Sequence, residues 1–95
     1  MKAVWKFPLQ AIDGQTVEMP EGAKILCVQV QNGVPCMWAV CDPAVTVRKE
    51  KRYFAVVGTG HPHDVIPKDY IGTFQLEGGG LVFHVFEVKY TERME

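Results

Sequence analysis

Histidines, glycines and bunched cations are the residues of this chain whose types and spacing could do chemistry. The run Gly58-Thr59-Gly60-His61-Pro62-His63-Asp64 sets two imidazoles and a carboxylate beside two glycines. Glycines expose backbone N–H groups, and successive N–H groups in a turn can cradle a phosphate or carboxylate. Thr59 and His61 would add polar contacts. No Walker lysine follows, and Gly-Thr-Gly is not a dinucleotide fingerprint, so the plainer reading is a tight turn after a strand.

A second constellation is basic. Arg48, Lys49, Lys51 and Arg52 are interrupted by Glu50. Such a run is ordinarily a solvated surface. Its functional version is an anion clamp, because the guanidinium fork of Arg48 or Arg52 matches phosphate geometry. Tyr53, Trp5 or Trp38 would then stack on a nucleotide base. Each tryptophan lies on an apolar strand face and reads first as core.

Metal and covalent chemistry find less support. His61 and His63 share a side only in extended backbone, which Pro62 favours, but no Cys-x-x-Cys or His-x-x-x-His spacing accompanies them. Cys27, Cys36 and Cys41 fall inside apolar segments and read as small, reduced core residues. His84, between Phe83 and Val85, reads as a surface or satisfied imidazole. The chain contains no serine, so no Gly-x-Ser-x-Gly elbow exists. No carboxylate pair sits in an apolar setting suited to acid–base work. The expectation is a protein with no catalytic residues, no metal and no cofactor.

Composition bounds the class of partner. With 95 residues, 47% of them hydrophobic, and a net charge of −1, the chain has material for one core. Disorder is excluded on those grounds, and duplex DNA is disfavoured as a partner because its binders are frankly basic. No apolar run reaches a membrane-spanning length. Lys6 and Pro8 break the N-terminal apolar stretch before a leader develops, so the expected location is the cytoplasm.

The elements that must position these residues read as strands. Six prolines and nine glycines favour turns over long helices. Strands are expected over Lys2 to Leu9, Gln15 to Met19, Lys24 to Gln31, Val34 to Cys41, Arg52 to Val57, Tyr70 to Leu76 and Leu81 to Val88. Val45 to Glu50 is ambiguous between a loop and a helical turn, and Tyr90 to Glu95 reads as a frayed tail. Asn32-Gly33 fits a type I′ hairpin turn. That turn pairs Gln31 with Val34, Cys27 with Trp38 and Ile25 with Val40, leaving Leu26 opposite Ala39. In this register Pro35 points its missing N–H away from its hairpin partner, so the outer neighbour of that strand should stop short of the turn. In the last hairpin Tyr70 shares a face with Gly72 and Phe74, and Thr73 lies on the other. The fold expected is one all-β, mostly antiparallel domain over residues 1–95, a small sandwich or open barrel.

The runs Val28-Gln29-Val30-Gln31-Asn32-Gly33-Val34-Pro35-Cys36, Gly58-Thr59-Gly60-His61-Pro62 and Tyr70-Ile71-Gly72-Thr73-Phe74-Gln75-Leu76 together resemble a family of small phage and bacterial proteins without an assigned activity. The resemblance implies an accessory protein acting in the cytoplasm of a bacterial host. It implies no catalytic residues. The function expected is binding: sequestration of a small anionic or nucleotide-derived ligand, such as a host immune signal, by Gly58, Thr59, Gly60, His61, Arg48 or Arg52 with Trp5, Trp38 or Tyr53. Homo-oligomers are expected because small β domains have free edges. Two alternatives stand beside it: a module that blocks a host protein or joins a virion component, and a small nucleotide-acting enzyme with His61 or His63 as base.

Overall fold

The computed structural model describes the backbone of residues 1–93 and the side chains of residues 1–89. Seven strands form: β1 (Ala3–Pro8), β2 (Gly14–Pro20), β3 (Lys24–Gln31), β4 (Val34–Cys41), β5 (Lys49–Gly58), β6 (Pro67–Leu76) and β7 (Leu81–Arg93). A single 3-10 turn, Glu77–Gly79, joins β6 to β7. Two antiparallel sheets pack face to face, one in the order β1-β4-β3 and the other β2-β5-β7-β6. The expected all-β sandwich is therefore the observed one. Among the described residues no helix is long and apolar enough to cross a membrane.

Alternation explains the core. From the three-stranded sheet Val28, Met37, Ala39 and Cys41 point inward, and from the four-stranded sheet Met19, Phe54, Val56, Phe74 and Val85 meet them. Cys36 and Cys41 are an odd number of residues apart on β4, so they occupy opposite faces, and both are 2% exposed. The rings of Phe74 and Phe83, directly opposite on β6 and β7, stack at 5.3 Å. Where β3 and β6 meet, Gly72 admits Val28: a Cβ on Gly72 would lie 2.8 Å from Val28 Cγ1.

Asn32 and Gly33 adopt φ of 50° and 78°, the left-handed pair that a type I′ turn requires. The hairpin register holds from Gln31–Val34 to Cys27–Trp38. There it departs from expectation: Leu26 is an extra residue, and Ile25 faces Ala39 rather than Val40. The bulge keeps Ile25 on the core side and turns Leu26 out to 51% exposure. The hairpin is also not central as a whole, since β3 is an edge and β4 alone has neighbours on both sides. The corollary for Pro35 is corrected: the β1–β4 ladder reaches Pro8–Cys36, and past it Leu9 N–H donates to the Pro35 carbonyl at 2.8 Å, so the outer side of β4 is occupied to within one residue of its start.

Two further expectations are corrected. β5 begins at Lys49, because Lys49 to Arg52 extend the ladder to β2, and the ambiguous stretch before it is a turn closed by Val47 N–H to the Ala44 carbonyl. Ile71 is bulged out of the β6 ladder, so Tyr70 pairs with Phe86 and Thr73 with His84. Tyr70 therefore lies on the Thr73 side, not the Phe74 side. The backbone of β7 continues to Arg93, and of the expected tail Met94 and Glu95 lie outside the described residues.

Candidate functional site

The expected clamp is divided by the fold. Arg48 precedes β5 and Gly58 ends it, so the length of a ten-residue strand separates the exposed Arg48 from the glycine loop. Between them Arg52 points into the core and Tyr53, the next residue, points out. Trp5 and Trp38 also part company. Trp5 opposes Ala39 on the inner face of the three-stranded sheet, at its rim, with Lys49 Nζ 5.4 Å from its ring centre. Trp38 opposes Lys6 on the outer face.

Arg52 is 8% exposed, and each of its three nitrogens donates to a partner within the protein. Nε and Nη2 bond the two carboxylate oxygens of Glu87, each at 2.7 Å, and Nη1 donates to the Ala23 carbonyl. The bond to Glu87 raises the guanidinium pKa; burial lowers it, and the charges of Glu87, Glu50 and Asp69 raise it again. This pair floors a cavity of about 430 Å³ between β3 and β6. The bulged Leu26 and Ile71 form part of its walls, and Lys24 and Asp69 carry opposite charges there. Cations and carboxylates balance in this cavity, so it has no electrostatic preference for an anion.

The glycine loop lies at the end of β5. Gly60 has φ of 81°, and His61 N–H closes the turn on the Gly58 carbonyl at 3.1 Å. The His61 ring packs where a Gly58 Cβ would be, its Nδ1 2.9 Å from that position. Gly58, Thr59 and His61 share a dent of about 190 Å³ with Gly80, Val82 and Phe83. Beyond it the connection to β6 turns toward the outer face of the four-stranded sheet, where Asp64 and Val65 line a cavity of about 400 Å³ with Tyr53 and Ala55. Among the described residues no group of three His, Cys, Asp or Glu side chains is placed to hold a metal.

The outer face of the three-stranded sheet is the other exposed feature. Its registers set Val4, Lys6 and Pro8 of β1 opposite Val40, Trp38 and Cys36 of β4. On the far side of β4 the same three residues face Lys24, Cys27 and Gln29 of β3. Trp38 is the centre of this grid, half-buried among its neighbours, while Val4 is 57% exposed. Lys6 Nζ donates to Gln31 Oε1 at 2.7 Å, spanning from one edge strand to the other. The arrangement presents an aromatic ring, two ammonium groups and two amides on one surface.

Sequence reasoning singled out Trp38 but not Lys6, Lys24 or Glu87. Lys6 meets Trp38 through the pairing of β1 with β4, strands with two others between them in sequence, and no local signal marks that. Glu87 did leave a signal. It continues the alternate set Phe83, Val85 that the core buries, and a charge in a buried set requires a buried partner.

No curated protein and no solved structure matches the chain. Over residues 1–95 the chain belongs to the family described as a domain of unknown function (DUF7352).

Proposed function

We propose that this protein is a non-enzymatic binding protein that sequesters a nucleotide-derived anion on the outer face of its three-stranded sheet. The observation that carries the reading is the position of Trp38 at the centre of that face, directly opposite Lys6 and two ladder pairs from Lys24, whose partner Val40 is the next residue of β4 on the same face. A flat indole stacks on a nucleobase, which every base permits because every base has a π face. Lysines beside it attract phosphate, and Gln29 offers an amide that can both donate to and accept from a base edge. The setting implied is that of a phage or bacterial accessory protein holding a small signal out of circulation. A second copy joined at the open edge of β1 would bring two such faces side by side.

Calorimetric titration with AMP, ADP-ribose and cyclic di-AMP tests this, with indole fluorescence as a second readout. Binding should quench Trp38, and Trp38→Ala should weaken it by roughly 1–3 kcal/mol, about five- to 150-fold. Lys6→Ala and Lys24→Ala should weaken it less and flatten its salt dependence. Absence of heat and of quenching across the panel sinks the reading. Capture of a stoichiometric protein partner through the same face, without any nucleotide, would instead favour the interaction module.

A further inference from the structure

A separate polar surface lies on the outer face of the other sheet, and it does not depend on the Trp38 site. The Ile71 bulge brings Tyr70 onto the same side as Thr73, and β7 places Phe86 and His84 opposite them. Four side chains then form one continuous row. Tyr70 Oη bonds Thr73 Oγ1 at 2.5 Å, and Thr73 Oγ1 bonds His84 Nδ1 at 2.9 Å. On the other ring nitrogen, His84 Nε2 bonds Thr59 Oγ1 at 2.6 Å. Thr59 Oγ1 also lies 3.4 Å from the Val82 carbonyl, so the row has a fixed acceptor at its inner end. At its outer end Tyr70 is 60% exposed, its ring held by Phe86 at 5.5 Å between centres and tilted by 58°.

Counting protons shows what such a row can recognise. With neutral imidazole the protons order in two ways. In one, Tyr70 donates to Thr73, Thr73 to Nδ1, Nε2–H to Thr59, and Thr59 to the Val82 carbonyl. In the other, every bond between the side chains reverses, and Tyr70 is left with its proton pointing outward. Each hydroxyl oxygen keeps unused acceptor capacity in both orders. The row therefore offers either acceptors alone or acceptors with one terminal donor. An anion needs several free donors and finds none in the first order. A cation finds no carboxylate, because the outward residues of this patch, Tyr70, Thr73 and Gln75 on β6 and Val82, His84 and Phe86 on β7, include no acidic side chain. A hydroxyl group, which donates and accepts at once, fits both orders.

We infer that this row is a binding site for a neutral polyhydroxylated ligand, an oligosaccharide chain lying across β6 and β7. The exposed Tyr70 ring would cover the apolar C–H face of one sugar unit, and the Thr73–His84–Thr59 row would exchange hydrogen bonds with the hydroxyls at its edge. The dent beside Thr59, about 190 Å³ between Gly58 and Gly80, gives a neighbouring unit a place to sit. This assigns the Gly58-Thr59-Gly60 turn a role in aiming the Thr59 hydroxyl at His84. Glycine at position 60 is needed there because its φ is 81°.

The full chain titrated with maltohexaose, cellohexaose and chitohexaose, followed by amide and imidazole NMR shifts, tests the inference. At least one of these probes should shift Thr59, Thr73, His84 and Phe86 together at about 10 mM or below, the weak end of specific affinity. Tyr70→Ala should weaken that binding at least about tenfold, Thr73→Val should weaken it while leaving the ring contact, and Trp38→Ala should leave it unchanged. Tyr70 is exposed, so its truncation leaves the core intact, and thermal unfolding of each variant checks this. No shift with any probe, or shifts that survive Tyr70→Ala, would overturn it.

Discussion

Arg52 and Glu87 meet inside the sandwich in a two-point bond, although neither is the other's partner in the β5–β7 ladder. Glu87 opposes Phe54 and Arg52 opposes Thr91, and the irregularity at Tyr53 lets the two side chains converge diagonally. Both distances are 2.7 Å, and Glu87 is 2% exposed. The contact ties the last sheet strand to the β2–β3 corner through the Ala23 carbonyl.

Breaking this pair from one side leaves a buried charge alone. Glu87→Gln and Arg52→Met should each cost about 3–5 kcal/mol in urea unfolding, and Arg52→Met with Glu87→Leu should recover much of that. A double variant that costs the sum of the two single losses would show that the pair is not the source of the effect. Because the guanidinium pKa is raised above its already high ordinary value, the Arg52 side of the bond is fully charged throughout the neutral range and is lost only in strong alkali.

Gly72 and Val28 are in a similar position of mutual dependence. Gly72→Ala would drive a methyl to 2.8 Å from Val28 Cγ1 and should cost about 1–3 kcal/mol. Val28→Ala costs stability by its own cavity, yet the double variant should be more stable than the sum of the two single losses implies. Strict additivity would show that the strands can simply part there.

Thiol reactivity separates the three cysteines. Cys27 is half-buried beside Trp38, whereas Cys36 and Cys41 are each 2% exposed. An Ellman titration of the native protein should find one fast thiol and two that react only on unfolding. Replacing Cys27 by Ala should remove the fast phase, and a nucleotide seated on Trp38 should slow it.

At the hairpin turn, Gly33 holds φ of 78°. Gly33→Ala should destabilise the protein by about 1–2 kcal/mol through that left-handed backbone alone. No change in the urea midpoint would mean that the turn has another conformation in solution.

Strand identity, the Asn32-Gly33 turn and the register near it were legible in the sequence. These depend on alternation and on the backbone preference of one or two residues, both local properties. The outer side of Pro35 was not legible: the missing N–H leaves the Pro35 carbonyl able to accept from Leu9, so the chain runs on from β1 beside it. Bulges were not legible. Nothing in Lys24-Ile25-Leu26-Cys27 or Tyr70-Ile71-Gly72 distinguishes an extra residue from a paired one, and each bulge inverted the expected faces of the residues beyond it.

The same boundary runs through the candidate sites. By itself the sequence determined that this is one antiparallel β domain, with its polar chemistry gathered on a few strands and on the glycine loop. Tertiary structure alone decided which of those groups meet: Lys6 with Trp38, Arg52 with Glu87, and Thr59 with His84 and Thr73. The physical reason is that hydrophobic periodicity is written residue by residue, whereas pairing between strands distant in sequence is settled only when two sheets close over a shared core.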